Sequence, residues 1–318
     1  MPVTHGGDIF EAAEKLGCDW RDILDFSANI NPLGTAPGVR EAITAAMDEI
    51  VHYPDPYSSR LQRALAQEWN VEPDCILTGN GATELIHFVA QVWRQPVSIV
   101  VPAFSEFHRV FPKASLRSTT SEWPEAGLLV ITNPMNPTGE AIEFPTRRGL
   151  TLVDESFIEF TDLPTSIGQA LVLRSLTKFH AIPGLRVGAL IGPAELMQQW
   201  KAFRAPWQVN TLGQAAALAA LNDKEHQQAT RDFIREERDR LLGFELPRVN
   251  IKPSCANYLF VELDYNADQL CSYFLEHRIL IRNCTNWPGI PGQAVRVAIR
   301  TREENDKLFD LWRTFTCD

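Results

Sequence analysis

A chain of 318 residues, 45% of them hydrophobic and 22% charged, has the composition of a globular protein with one large core or two medium ones. Acidic side chains outnumber basic ones 40 to 30, and the net charge of −10 comes without a basic stripe, which argues against nucleic-acid or anionic-membrane partners. The six cysteines are scattered, with no pairing or His cluster at zinc spacing, and no signal peptide or bilayer-length apolar run is present, so a metal-free cytoplasmic protein with buried reduced thiols is expected.

Ile9, Ala12, Ala13 and Leu16 recur at helical spacing between Asp8, a candidate cap, and Gly17, a stop signal. The run from Asp25 to Gly34 is too apolar for a linker and reads as an ordered irregular segment. Pro37 opens a helix with Val39, Ile43, Ala46, Met47 and Ile50 on one face, stopped at His52-Tyr53-Pro54, and another helix covers about 58–69. From Cys75 short apolar runs alternate with helices. Strands are expected at 76–77, 97–101, 128–132, 150–154, 170–173 and 188–191, and helices from Leu85 to Val92 and over 194–203, 211–221 and 223–242. This is the grammar of an α/β fold, a mostly parallel sheet with helices on both faces.

After Pro247 the pattern becomes β-rich, with strands at 249–252, 257–263, 279–282 and 294–299 and helices at 266–277 and 302–315. The expected division is a large α/β domain over 35–245 and a small α+β domain formed by 1–34 with 246–318. Only ten residues separate Gly139 from the strand at Leu150. That is near the minimum of roughly 10–12 for a parallel crossover with its helix, so little or no helix is expected there.

Four segments suggest chemistry. Thr78-Gly79-Asn80-Gly81-Ala82-Thr83-Glu84 joins a strand to a helix, so the N–H groups of Gly81, Ala82 and Thr83 would leave a helix N-terminus where phosphate is favoured; an ordinary βα turn would use the same glycines. Asn136, held extended by Pro137, can offer its amide to a ligand oxygen, though a proline-rich turn needs no ligand. Asp154 ends a buried strand, where open α/β sheets hold ligands and where a cation must offset the burial of a carboxylate. Lys178 follows Ser175 and Thr177, and Arg186 returns beyond a Pro183-Gly184 turn. This is a nucleophilic amine beside a phosphate cup or, taken alone, a surface lysine in a polar loop.

In this order the four segments resemble the fold type I pyridoxal-phosphate enzymes, the aspartate-aminotransferase-like superfamily, over essentially the whole chain. The resemblance implies a seven-stranded, mostly parallel sheet in the large domain and pyridoxal 5'-phosphate as cofactor. Carried onto this chain, it makes Lys178 the Schiff-base lysine, Asp154 the partner of the ring nitrogen, Asn136 the contact to the ring hydroxyl and Phe104 the stacking ring. Gly81, Ala82, Thr83, Ser175, Thr177 and Arg186 would hold the cofactor phosphate, joined by Tyr53 from the other subunit of a homodimer. Phe157 departs from the tyrosine common at its position and removes a second hydrogen bond to the ring hydroxyl.

His5-Gly6-Gly7-Asp8, the run 25–34, and the strands around Arg282 and Arg296 are similar to the branch of L-threonine-O-3-phosphate decarboxylases of cobalamin biosynthesis, close to histidinol-phosphate aminotransferases. That similarity implies conversion of L-threonine O-3-phosphate to (R)-1-aminopropan-2-yl phosphate and CO2, with His5, Asn29, Asn136, Arg282 and Arg296 on the substrate and Arg300 two strand positions too far. A phosphorylated substrate needs a second anion site, which these cations can supply in an otherwise acidic protein. An aminotransferase acting on histidinol phosphate with a 2-oxo acid would use the same cofactor residues. A cofactor-binding regulatory domain without turnover is the reading from another class. L-serine O-phosphate differs from the threonine compound by one methyl, which a pocket reads at only about 1–3 kcal/mol.

Overall fold

The computed structural model describes residues 6–143 and 147–317. Helix α1 (Ile9–Leu16) has the expected signals at both ends. The Asp8 carboxylate accepts the Glu11 N–H, and Gly17, in the left-handed region, turns its own N–H back to the carbonyls of Ala13 and Glu14. At the start of the stretch expected to be irregular, β1 (Leu24–Asp25) forms a short strand that takes in its first residue, Asp25. Helix α2 (Pro37–Ala45) begins on its proline and tightens into 3-10 turns over Ala46–Val51, and α3 (Ser59–Trp69) follows.

The main sheet contains β2 (Ile76–Asn80), β3 (Val97–Val100), β4 (Ser115–Arg117), β5 (Leu128–Thr132), β6 (Leu150–Asp154), β7 (Leu171–Ser175) and β8 (Val187–Ile191). Its spatial order is β2-β8-β7-β6-β5-β3-β4, parallel except that β8 runs against both neighbours. Strands β5, β7 and β8 are buried along their whole length, which is why their sequences are continuous apolar runs rather than alternating ones. One face packs against α4 (Gly81–Val92), α5 (Ser105–Val110) and α7 (Ala194–Lys201) through Leu85, Phe88, Val89, Phe107 and Trp200. The other is covered by α2, α3 and α8 (Thr211–Asn222), whose Ala216, Ala217 and Ala220 meet Val172, Val187 and Ala189.

The sequence did not announce α5 or β4. The first is a six-residue helix, too short to show a period, and the second is a three-residue, largely exposed edge strand. Between Gly139 and Leu150 the described residues hold no helix. The sheet there is covered by a small cluster of Val100, Leu129, Ile131 and Met135 with Trp123 and Ile142. The Arg147 guanidinium donates to the carbonyls of Pro124, Ala126 and Leu150, occupying backbone acceptors at the edge of this link.

A second, antiparallel sheet has the order β12 (Arg282–Asn283), β13 (Ala294–Ala298), β10 (Tyr258–Leu263) and β9 (Val249–Ile251). The single strand expected over 279–282 is divided. Its first part, β11 (Ile279–Leu280), pairs in parallel with β1, and β12 pairs with β13, so Ile281 lies where the chain changes partners. Helices α9 (Lys224–Leu242), α10 (Ala267–Glu276) and α11 (Arg302–Cys317) accompany this sheet, with Ile234, Leu270, Phe274, Phe309 and Trp312 in the shared core. Of the described cysteines only Cys284 is buried; Cys18, Cys75, Cys255 and Cys271 are half-buried, against the expectation that all are interior, and all five are free. Among the described residues no helix is long and apolar enough to cross a membrane.

Candidate active site

A cavity of about 550 Å³ opens between the carboxyl ends of β6 and β7 and the second sheet. Asp154, the last residue of β6, is buried at its floor. Both the N–H (3.0 Å) and the hydroxyl (2.5 Å) of Ser156 donate to its Oδ1. Burial raises the Asp154 pKa, against the Ser156 hydroxyl and the charge of Lys178. The sequence implied that this carboxylate needs a cation but not that a neighbouring serine would occupy one of its oxygens.

Strand β7 leads directly into α6 (Leu176–Phe179), one turn of helix that carries Lys178 into the cavity. Its Nζ donates to Ser175 Oγ at 3.3 Å and lies 5.0 Å from the centre of the Phe157 ring. Burial pushes the amine down to about 8; Asp154 opposes this, and Arg186 and Arg296 reinforce it. Asn31, which the sequence reading left without a role, fixes this turn from outside. Its N–H donates to the Lys178 carbonyl (3.0 Å), which the Ala181 N–H also reaches (3.2 Å), and its side-chain amide donates to the Phe179 carbonyl (2.9 Å) at the open end of the turn.

The hydroxyls of Ser175 and Thr177 lie 2.7 Å apart, and both residues line the cavity with Ala82, Thr83 and Arg186. Gly81, named from the sequence as a phosphate donor, does not line it. It has φ +77° and lies under the Arg186 guanidinium, where a Cβ would collide, so glycine here makes room for the arginine. Arg186 itself has left-handed backbone, with Nη1 donating to the Pro183 carbonyl at 3.2 Å.

The second sheet contributes Arg296 from β13 and Arg282 from β12. Arg296 donates from Nη1 to Asn136 Oδ1 (2.5 Å) and from Nη2 to the Ser27 carbonyl (2.6 Å), while its buried Nε finds no hydrogen-bond partner among the described residues. Asn29 is 3% exposed, lines the cavity, and has neither amide atom satisfied among the described residues. Orphaned buried polar atoms at a cavity wall are what a ligand would satisfy. Phe104 and Asn136 also line the cavity. Arg300 does not; it pairs with Glu304 (2.9 Å) and donates to the Asp25 carbonyl (3.0 Å). His5 lies outside the described residues, whereas Gly6 and Gly7 form part of the wall, with the Gly7 N–H donating to Ser27 Oγ at 2.7 Å. Tyr53 is absent from its own chain's cavity; it is 83% exposed, with its ring 5.0 Å from that of Trp207.

Ser156 and Trp287 also reach the cavity. Ser156 lies two residues after Asp154, and nothing local marked Trp287 except its place five residues after Arg282. Tyr258 packs edge-on against Phe157 at 5.0 Å, yet its hydroxyl donates to the Met135 carbonyl at 2.8 Å and so does not replace the hydroxyl that Phe157 lacks. The result is one cavity with a buried amine and two sets of anion donors, one from each sheet. Ser175, Thr177, Arg186 and the start of α4 suit a phosphate, and Asp154 suits a buried cation.

The family described as aminotransferase class I and II matches residues 21–310. The chain belongs to the aminotransferase class I and II family. Within this family it is 37% identical to the threonine-phosphate decarboxylase of Salmonella typhimurium, with 98% of this chain and 96% of the relative aligned. Among solved structures it is similar to the L-threonine-O-3-phosphate decarboxylase from Porphyromonas gingivalis (TM-score 0.84, 24% identity, 93% of this chain and 100% of that one). It is also similar to the histidinol-phosphate aminotransferase from Clostridium acetobutylicum (TM-score 0.82, 26% identity, 93% and 99%). The family match includes Asp154, Lys178, Arg282 and Arg296, whereas the cavity wall at Gly6, Gly7 and Phe10 precedes it.

Proposed function

We propose that this aminotransferase-family chain is a pyridoxal-phosphate-dependent carboxy-lyase that converts L-threonine O-3-phosphate to (R)-1-aminopropan-2-yl phosphate and CO2 in cobalamin biosynthesis. The observation that carries the reading is the buried Lys178 amine in one cavity with two separate sets of anion donors. When bound, pyridoxal phosphate supplies an aldehyde that condenses with amines and a cationic ring that draws electrons from bonds to the amino acid's α-carbon. Ser175, Thr177, Arg186 and the N–H groups of Ala82 and Thr83 would hold its phosphate, Asp154 its ring nitrogen, Asn136 its ring hydroxyl and Phe104 its face. Ser156 occupies Oδ1 of Asp154, and among the described residues no hydrogen bond reaches its other carboxylate oxygen, which supports this assignment.

Arg282 and Arg296 would receive the substrate phosphate, with Asn29 satisfying its amide on the same substrate. An anchored phosphate leaves the carboxylate free to turn into the position from which it is lost. An arginine that instead held the carboxylate would favour loss of the α-proton, and with it transamination. Asn136 and Ser27 orient Arg296 before substrate arrives. Lys178, depressed to about 8, has a free-base fraction near neutral pH and can carry a proton to the substrate's α-carbon.

The second reading, a histidinol-phosphate-type aminotransferase, is favoured by the 26% identity to the Clostridium acetobutylicum structure and uses the same cofactor residues. Cofactor-loaded protein given L-threonine O-3-phosphate is expected to release CO2 and aminopropanol phosphate in equal amounts. Glutamate formed from histidinol phosphate and 2-oxoglutarate, without CO2 from the first substrate, would move the chain to the aminotransferases. Lys178→Ala is expected to abolish turnover and the cofactor's bound-state absorbance together.

The reading includes a cytoplasmic homodimer in which Tyr53 reaches the cofactor phosphate of the other subunit. Exposed Met47, Ile50, Val51, Tyr53, Phe203 and Trp207 support a surface that a second copy covers. It also includes the division into a large domain over 35–245 and a small one from 1–34 with 246–318.

A further inference from the structure

Gly6, Gly7, Ile9 and Phe10 form one side of the cavity wall. Among the described residues, the Gly7 N–H to Ser27 Oγ (2.7 Å) is the only hydrogen bond that ties Gly6–Phe10 to the chain beyond α1. Ser27 is buried, and its hydroxyl proton is committed. It donates to Asp25 Oδ1 at 2.7 Å, which leaves the oxygen's lone pairs to the Gly7 N–H. Asp25 is fixed in its turn, because its Oδ1 also accepts the N–H groups of Ser27 (2.8 Å) and Ala28 (3.2 Å), and β1, which it ends, is paired with β11. The Ser27 carbonyl accepts Arg296 Nη2 at 2.6 Å, and a Cβ on Gly6 would collide with that same oxygen. Only a residue without a Cβ lies so close to it. One serine therefore ties the wall with its hydroxyl and the arginine with its carbonyl.

We propose that Ser27 is a positioning residue whose hydroxyl holds the stretch Gly6–Phe10 as a wall at the substrate end of the cavity, against the arginine that its carbonyl orients. The inference rests on the reading of Arg296 as a substrate ligand. Cofactor-loaded wild type, Ser27→Ala, Gly6→Ala and the double variant are compared by backbone amide exchange and by CO2 release from L-threonine O-3-phosphate. Ser27→Ala removes one hydrogen bond, so exchange at Gly7 is expected to quicken about fivefold, and KM to rise about fivefold with kcat within about twofold. Gly6→Ala should raise KM similarly. The double variant should be no worse than the poorer single one, because both substitutions release the same contact. Gly7 exchange at the wild-type rate in Ser27→Ala, a loss of kcat/KM that lies wholly in kcat, or KM increases that multiply in the double variant overturns the inference. Should Ser27→Ala fail to take up cofactor, Gly6→Ala decides, since it adds one methyl outside both sheets; a wild-type KM in that variant overturns the inference. A wild type that takes up cofactor yet releases no CO2 overturns the substrate reading alone, because the exchange comparison needs no substrate and still decides whether Ser27 holds the wall.

Discussion

Lys178 combines burial with a charge it can shed. Its ordinary pKa of 10.5 falls to about 8 in the fold, a gap equivalent to up to about 3 kcal/mol. Below pH 8 folded and unfolded chains both hold the proton, and the cofactor-free protein bears the full cost of a buried ammonium. Between 8 and 10.5 the unfolded chain holds a proton that the folded one has lost, so stability rises with pH across that window. Cofactor-free Lys178→Met is therefore expected to be more stable than cofactor-free wild type at pH 7, by up to about 3 kcal/mol, with the difference shrinking between pH 8 and 10.5. Denaturant titrations across that range check this; a pH-independent gain would assign the effect to added apolar packing. Asp154 is the complementary case, since its burial favours the neutral acid while Ser156 and Lys178 keep the charged form accessible.

At the level of elements, the site depends on two helix ends. α6 is a single turn, and Asn31, reaching the Lys178 and Phe179 carbonyls from far along the chain, holds the backbone on which Lys178 is mounted. The start of α4 lies against Arg186 across Gly81. Gly81→Ala adds a methyl where the guanidinium sits and forces alanine into left-handed backbone, a strain of roughly 1–2 kcal/mol. Affinity for pyridoxal phosphate is expected to fall about tenfold or more, while affinity for pyridoxal, which lacks the phosphate, changes little. Equal loss for both would mean that the substitution damages the cavity generally rather than its phosphate end.

Across the whole molecule, the cavity exists because two sheets meet. β1 crosses from the N-terminal segment to pair with β11, and Arg296 links the second sheet to Asn136 after β5. The proposed dimer gives the exposed strip from Met47 to Tyr53 its purpose. Val51 is 78% exposed, and an aspartate there would have to be buried against a second copy. Val51→Asp is expected to sediment as a monomer where wild type sediments as a dimer, and to lose most activity as Tyr53 is withdrawn from the other subunit's site. A wild type that is monomeric at micromolar concentration would refute both the surface and the Tyr53 assignment.

Helix α1 could be read to the residue from Asp8, its apolar spacing and Gly17, and the inner strands from their unbroken apolar runs, because those signals reside within each element. The placement of Asp154 at the end of a buried strand and of Lys178 beside Ser175 was legible for a similar reason, since each is set within a short segment. The geometry around them was not. Arg296 finds Asn136 across 160 residues, and Asn31 finds Phe179 across 148, and neither pairing has a local signature. The same holds for Trp287 near Arg282, for Gly81 beneath Arg186 and for the division of the strand at Ile281, where the pairing partner changes rather than the residue type. Periodicity, capping and turn chemistry act over a few residues and so are written along the chain. Which buried polar groups satisfy one another, and which are left open to a ligand, follows from packing the two sheets together, and only the tertiary structure decides it.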